Sequence, residues 1–409
     1  MERRSVEPHL KFEALAGRRL HLGVSGSIAA YKALDLLRAW QDAGLKVSAT
    51  LTDAAKQFVT PLSFEALGAS PVYEHMFAPG RDPLAHLEPG GKAEAMVIAP
   101  ASATTLARLA NGSAEEMLCA QALAFERPIV LAPAMNPRMW ANAATQANWR
   151  TLMARGHVGV TPCVGRTACL EVGEGRLADL RDIYLAPLRC MAEQDFAGRR
   201  VLLTLGPTRE FWDGVRFLSN PSSGLMGAAL AVAAWLRGAE VVAVCGPGAP
   251  WLPQGVQRID VVSAQDMLAA CEAHFSNTEY ACFCAAVADF RPALQQDKKL
   301  KKTDLVGGAA LPLVGNPDIL ASLAACKAPG QRVIAFAAET GDLARHAQDK
   351  LERKRADMLV GNLVNKPDSG FGSANNTVEI WDQQGRHERL PVLPKADVAW
   401  RIWDWALTL

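Results

Sequence analysis

AGRRLHLGVSG, residues 16–26, and its near-repeat AGRRVLLTLGP, residues 197–207, decide how this chain folds. Each is a charged step into a short apolar run closed by glycine, the pattern of the buried first strand of an α/β unit. Used twice, the signal predicts two doubly wound, Rossmann-like α/β domains, residues 1–195 and 196–409. The second start continues as GPTREFWDGVRFLSNPSSGLMG (206–227) into an Ala-rich helix. Glycines and serines at a helix mouth leave backbone N–H groups facing outward, which suits a phosphate or carboxylate, although many folds place such a turn there for packing alone.

Working outward from the first start, residues 27–44 read as an amphipathic helix and LKVSATLT (45–52) as the second strand. AMVIA (95–99) and PIVLA (128–132) are further strands, each ending in a proline step that is expected to stop it at the carboxyl edge. Helical segments fall between them. Residues 158–180 are glycine-rich and without period, which predicts a long flap-like loop. A helix over 179–194 closes the first half. The second half repeats the alternation with strands at VLLTL, VVAVCG, YACFCAAVA, RVIAFAAE, ADMLVGN and TVEIW, and a last helix near 395–407. Residues 291–316, which include KKLKK, have the composition of a mobile connection, and residues 1–16 that of a loosely held leader.

The 409 residues exceed one compact core, and 43 basic against 42 acidic residues leave no long basic stripe for nucleic acid. Small-molecule partners are expected. Nine cysteines, none in a C-x-x-C, in a chain with core enough to need no disulfide staples, predict a reducing, cytoplasmic setting. The N-terminus lacks the apolar core of a signal peptide, and no apolar stretch is long enough to cross a bilayer.

The turn Gly23-Val24-Ser25-Gly26-Ser27 departs from G-x-G-x-x-G, and no acidic residue ends the second strand, so a mononucleotide phosphate fits it better than a dinucleotide. Taken singly, His86 reads as a solvated surface residue, Asn136 as a turn asparagine and Cys169 as a small filler. Together they have chemical sense: a base near neutral pH, an amide able to hold a carboxylate, and a thiol able to donate a proton. In the second half, Lys298, Lys299, Lys301 and Lys302 form either a solvated charge run or a group of ammonium charges suited to a triphosphate. Asp289, after a buried run, sits where a nucleotide or magnesium contact is plausible.

From about residue 18 to 407 these stretches resemble, in order, the bifunctional coenzyme A biosynthesis flavoproteins, in which phosphopantothenoylcysteine decarboxylase is fused to phosphopantothenate–cysteine ligase. The carrying motifs are GVSGSIAAYK, TPLSFEAL, VIAPASATTLARLANG, APAMNPRMW and TACLEVGEGR, then GPTREFWDGVRFLSNPSSGLMG, AAVADFRP, KKLKK, NPDIL, AFAAET, KLERKRADMLVGN and GFGSANNTVEI. The resemblance implies a flavodoxin-like FMN domain followed by a nucleotide-binding ligase domain. In the first, the flavin oxidises the cysteine-derived thiol to a thioaldehyde, giving the departing carboxylate an electron sink. His86 would be the base or positioning group, Asn136 would hold the substrate carboxylate and Cys169 would supply the proton, with Gly26, Ser27 and Ser102 cradling FMN. In the second, CTP activates 4'-phosphopantothenate as an acyl cytidylate that the cysteine amine attacks, and the product is the substrate of the first. Lys299 would contact the triphosphate, and Asn220 with Arg216 the acyl cytidylate. Phe283, Cys284, Ala285, Asp289, Pro317, Asp318, Ile319, Leu320, Phe336, Lys350 and Lys354 would surround CTP, with magnesium on its phosphates and at Asp289. It also implies a homo-oligomer, with trimers of the decarboxylase packing into dodecamers and the ligase halves pairing as dimers.

Three departures stand out. The family usually writes the flap as L-A-C-G, whereas this chain has Thr167-Ala168-Cys169-Leu170, which bears on backbone conformations with φ above zero. Gly214 stands where proline is common and Trp212 where an aliphatic residue is usual. The rivals are a catalytically silent flavin-binding regulatory protein, opposed by the joint presence of His86, Asn136 and Cys169, and a nicotinamide dehydrogenase, opposed by the broken glycine fingerprint.

Overall fold

The computed structural model describes residues 6–77, 80, 82–166, 168–299, 310–339, 343–363 and 372–409, with backbone alone at 338, 339, 343–346 and 363. Thr167, Leu300, Lys301 and Lys302 lie outside them. Packing divides the chain into two units: Glu13–Ala192 with the residues up to Glu7, and Glu193–Leu409 together with Pro8–Phe12.

In the first unit the strands are β1 (Arg19–Val24), β2 (Lys46–Leu51), β3 (Val72–Tyr73), β4 (Ala95–Ala101), β5 (Ile129–Pro133) and β6 (Val158–Gly159). They pair in parallel in the order β3-β2-β1-β4-β5-β6. This doubly wound order reverses between β1 and β4, the switch point outside whose carboxyl ends ligands bind. Helices cover both faces, so the central strands are apolar throughout, as a parallel sheet requires. His21 on β1 is an exception. Its ring nitrogens lie 2.8 Å from Ser48 Oγ and 3.0 Å from Thr50 Oγ1, and Thr50 Oγ1 donates to Gln121 Oε1 at 2.6 Å. Burial pushes the His21 pKa down to about 4, against a smaller opposing hydrogen-bond effect from Gln121.

Two expectations about this unit change. Pro100 does not stop its strand. It lies inside β4, whose register against β5 shifts between Ile98 and Ala101, an irregularity that absorbs a residue with no N–H to donate, whereas Pro133 is the last residue of β5, as expected. The stretch expected to be a loop holds an antiparallel hairpin, β7 (Cys163–Arg166) and β8 (Val172–Arg176). Its glycines serve close approach. A Cβ at Gly175 would lie 2.6 Å from Met135 O, and one at Gly173 would lie 2.8 Å from Pro137 Cβ.

The second unit is built on an eight-stranded sheet in the order Gln257–Asp260, Glu240–Cys245, Arg200–Leu205, Tyr280–Phe283, Arg332–Glu339, Met358–Leu363, Val378–Asp382, His387–Arg389. The first six run parallel, and the last two each pair antiparallel with the strand before them. Leu225–Leu236 is apolar on every face and correspondingly buried. The run YACFCAAVA leaves the sheet at Phe283. Beyond it, Ala285 N–H donates to Thr204 Oγ1 (3.2 Å) and Ala288 N–H to Thr208 Oγ1 (3.1 Å), so side-chain oxygens share the pairing with the backbone bonds of Cys284 and Ala286 as the chain turns into a loop. At the ends of the expected mobile connection, Phe290–Pro292 pairs antiparallel with Leu313–Gly315.

The leader is not loose. Pro8–Leu10 forms a 3₁₀ turn against the helices Leu225–Leu236 and Lys395–Ala406. Leu10 is fully buried, and the Phe12 ring lies 5.6 Å from that of Trp400. Among the described residues no helix is long and apolar enough to cross a membrane.

Candidate active sites

In the first unit three strand ends are stitched together at the carboxyl edge. Ser25 Oγ donates to Pro100 O (2.7 Å) and accepts from Ser102 N–H (2.7 Å), while Ser27 Oγ donates to Ala134 O at 3.3 Å. Ser27 also caps the 3₁₀ turn Ile28–Tyr31, and Ser102 caps the helix Ala103–Asn111. Two helix starts therefore open at the switch point. Gly26, Ser27, Ile28, Ala103 and Thr104 donate no backbone hydrogen bond to another described residue. Such unused N–H groups fit an anionic phosphate, so the cradle suits a mononucleotide such as FMN. Gly26 is required for packing, since a Cβ there would lie 2.5 Å from Ala54 Cβ.

One strand over, Asn136 caps the helix Pro137–Ala141, with its Oδ1 accepting from Arg138 N–H at 2.8 Å. The hairpin β7–β8 lies across it, held by Met135 N–H to Gly175 O (2.9 Å). Asn136 Nδ2 thereby donates to Cys169 Sγ at 3.0 Å and to Glu171 Oε2 at 3.0 Å. Leu170, between them, has a φ of 67°, the left-handed region that favours glycine. His86 stands half-buried in the turn before the helix Glu88–Lys92, and among the described residues it has no hydrogen bond to Asn136 or Cys169.

The second unit holds a cavity of about 670 Å³ at the carboxyl ends of its central strands. Asn220, Phe283, Ala285, Asp289, Pro317, Asp318, Ile319, Leu320, Phe336, Lys350 and Lys354 all line it. Asn220 is aimed by donating from Nδ2 to Val287 O at 2.9 Å, and Asn316 braces the loop by donating to Asp289 O and Ala288 O, each at 2.8 Å. Lys354 pairs with Asp318. Burial works to raise the Asp318 carboxyl, but the Lys354 ammonium and the Ala321 N–H hold it below its usual value. Arg216 and Lys299 are not in the lining: Arg216 Nη1 lies 3.3 Å from Asp213 Oδ2, and Lys299 is exposed beside the undescribed 300–309. Cys284 lines an adjoining cavity of about 110 Å³ with Ser222, Ser223, Asn362 and Lys395, where burial pushes its thiol up to about 12. No group of three or more His, Cys, Asp or Glu side chains among the described residues could hold a metal. Asp289 alone on the rim fits a magnesium carried by nucleotide phosphates and water.

Residues 11–186 match the family model described as Flavoprotein, and residues 196–409 the DNA/pantothenate metabolism flavoprotein C-terminal domain. The chain is 39% identical over 391 residues to the coenzyme A biosynthesis bifunctional protein CoaBC of Vibrio vulnificus, covering 95% of this chain and 97% of the relative. This chain belongs to the bifunctional coenzyme A biosynthesis protein family. Relatives of the same description in Escherichia coli (strain K12) and Bacillus subtilis (strain 168) are 40% and 38% identical, over 91% and 95% of this chain and 92% and 96% of theirs. As a family member the chain is a bifunctional enzyme of coenzyme A biosynthesis and a flavoprotein.

Within that family reading, the structure adds residues that the sequence did not single out. Arg138 Nη2 donates to Glu171 Oε1 at 2.5 Å, joining the helix start to the flap. The two lie 33 positions apart, so no local pattern could pair them. Lys395, nearly buried, donates to Ser373 O, and its pKa is lowered by burial with a smaller opposing effect from Cys284. Its only sequence signal was a lysine opening the apolar helix Lys395–Ala406.

Proposed function

We propose that the chain joins 4'-phosphopantothenate to cysteine with CTP in its second unit, and decarboxylates the resulting phosphopantothenoylcysteine to 4'-phosphopantetheine with FMN in its first. The observation that carries this reading is the 3.0 Å contact of Cys169 Sγ with Asn136 Nδ2, on the same sheet edge as the two open helix starts. When bound, FMN supplies the two-electron oxidation of the substrate thiol that gives the departing carboxylate an electron sink. Everything else falls to the chain. The Asn136 amide holds the substrate carboxylate, its orientation set by the Arg138 N–H on Oδ1. Cys169 on the flap delivers a proton to the carbon that carbon dioxide leaves. His86 acts as base or positioning group; because among the described residues it makes no hydrogen bond to Asn136 or Cys169, we assign it to a site completed between copies.

In the second unit Lys350, Lys354 and Lys299 neutralise the triphosphate and Asp289 meets its magnesium, while Asn220, with Arg216, holds the acyl cytidylate. An unaided carboxylate has too poor a leaving group for amine attack, and the nucleotide ester removes that barrier. The chain works in the cytoplasm, where its nine free cysteines stay reduced. It works as a homo-oligomer, with trimers of the first unit, which pack further into dodecamers, and dimers of the second. Exposed Ile28 and Tyr31 beside the cradle, and Val215, Phe217 and Phe290 in the second unit, are apolar surfaces a partner copy would cover.

The test is purified enzyme with 4'-phosphopantothenate, cysteine and CTP, followed for pyrophosphate and carbon dioxide separately. Cys169→Ser is expected to release carbon dioxide but to slow 4'-phosphopantetheine formation by roughly 10²- to 10⁴-fold, the contribution of a positioned acid. Asn220→Asp is expected to cripple formation of phosphopantothenoylcysteine and leave decarboxylation of supplied phosphopantothenoylcysteine intact. Loss of both activities in either folded variant would refute the division of labour.

A further inference from the structure

We propose that Glu171 is a built-in competitor for the substrate's carboxylate: in the free chain its side chain takes the Asn136 amide, and Arg138 is the arm that keeps it there. The inference rests on the assignment of Asn136 as the group that holds that carboxylate.

One carboxylate bridges two donors. Glu171 Oε2 accepts from Asn136 Nδ2 at 3.0 Å, and Oε1 accepts from Arg138 Nη2 at 2.5 Å. The Asn136 side chain cannot turn to meet a second acceptor, because its Oδ1 is held by the Arg138 N–H at 2.8 Å. An amide nitrogen has two protons. On Asn136 one points to Cys169 Sγ and the other to Glu171, so none is left for an incoming carboxylate. The substrate must displace one of the two. The thiol has to stay beside the reacting carbon to deliver its proton, which leaves Glu171 as the group that moves. The exchange is carboxylate for carboxylate, so it proceeds without stranding a polar group.

The surroundings make that exchange easy. The Arg138 side chain is 81% exposed and that of Glu171 36%, and an ion pair so open to water is weak. Glu171 directly precedes the second strand of the hairpin, one residue beyond Leu170 in its left-handed conformation, and nothing in that geometry requires the helix Pro137–Ala141 to move with it. The device also separates substrate from product. 4'-Phosphopantetheine has no carboxylate, so it leaves the Asn136 amide to Glu171, which returns as carbon dioxide departs.

The experiment uses the full-length FMN-loaded enzyme and compares KM for phosphopantothenoylcysteine with the inhibition constant of 4'-phosphopantetheine. Glu171→Gln replaces a charge-assisted acceptor by a neutral one and is expected to lower KM about tenfold, with product inhibition changed less than about twofold. Glu171→Asp, which keeps the charge, is expected to return KM to within about threefold of the parent. Arg138→Gln is expected to lower KM by about threefold as it frees the competitor. A KM that is unchanged or raised by Glu171→Gln overturns the proposal, and a KM raised by Arg138→Gln overturns the role of Arg138 as the competitor's arm. Asn136→Ala separates this failure from that of the underlying assignment. If it weakens substrate and product alike, Asn136 does not hold the carboxylate. If it weakens only the substrate while Glu171→Gln does nothing, the competitor alone is wrong. The flavin absorbance spectrum and hydrogen exchange of residues 172–176 verify that each variant keeps its fold and report the flap directly.

Discussion

A substitution at residue 12 is expected to destabilise the half of the chain that begins almost two hundred residues later. Phe12 is 2% exposed, packs within the second unit, and sets its ring 5.6 Å from Trp400 at an interplanar angle of 56°. Truncation to alanine removes that tilted pair and leaves a cavity of aromatic size between the turn and the closing helix. Phe→Ala changes at such sites cost about 3–5 kcal/mol, and for a unit of some two hundred residues each kcal/mol moves the melting temperature by about 2–4 °C. Phe12→Ala is therefore expected to lower the second unit's transition by roughly 10 °C. Two probes separate the units. Seven of the ten tryptophans, from Trp212 to Trp405, lie in the second unit, so indole fluorescence follows it, while flavin release follows the first. The expected result is an early indole transition with flavin release unchanged. A shift in flavin release with the indole transition intact would refute the packing that places Pro8–Phe12 in the second unit.

Two further predictions concern the first unit. His21 is neutral and buried with its pKa lowered from 6.5 to about 4, so its contribution is complete above 6.5 and is lost as pH falls toward 4, because the unfolded chain takes the proton first; this amounts to about 3 kcal/mol of acid destabilisation. Urea unfolding followed through the flavin measures it, with about 2 kcal/mol of that loss expected between pH 7.5 and pH 5, and a His21→Gln variant that keeps the full pH slope would remove His21 as the cause. Leu170, at a φ of 67° with its side chain outside the core, carries about 1 kcal/mol of backbone strain. Leu170→Gly is accordingly expected to protect residues 172–176 from hydrogen exchange about fivefold better than Leu170→Ala, and equal protection would mean that the flap does not hold this conformation.

Much of the architecture was legible because its determinants are local. A doubled charged step into an apolar run, apolar strands of four to eight residues, and helices such as Ala264–Phe275 with its Ser263–Asp266 capping box carry their signals within one window. The misreadings share a cause in the opposite direction. Glycines at 173 and 175 look like loop residues until Met135 and Pro137 are seen against them, Pro100 looks like a stop until the irregular register of β4 is seen, and the leader looks loose until Trp400 covers Phe12. In each case the partner is far away in sequence.

The candidate sites divide along the same line. Residue types alone nominated Asn136, Cys169 and Asp289, because a carboxylate needs an amide, a carbanion needs a proton and a nucleotide's magnesium needs a carboxylate, whereas Asn220, Lys350 and Lys354 came only with the resemblance to the family. What only the tertiary structure decided is how those groups are occupied before any ligand arrives. Asn136 divides its two protons between Cys169 and Glu171, and Lys354 is already paired with Asp318. Chemistry is written in the identity of a side chain, but competition for it depends on distances across 33 to 36 positions of chain, and those exist only once the sheet edges, the hairpin and the cavity wall have been brought together.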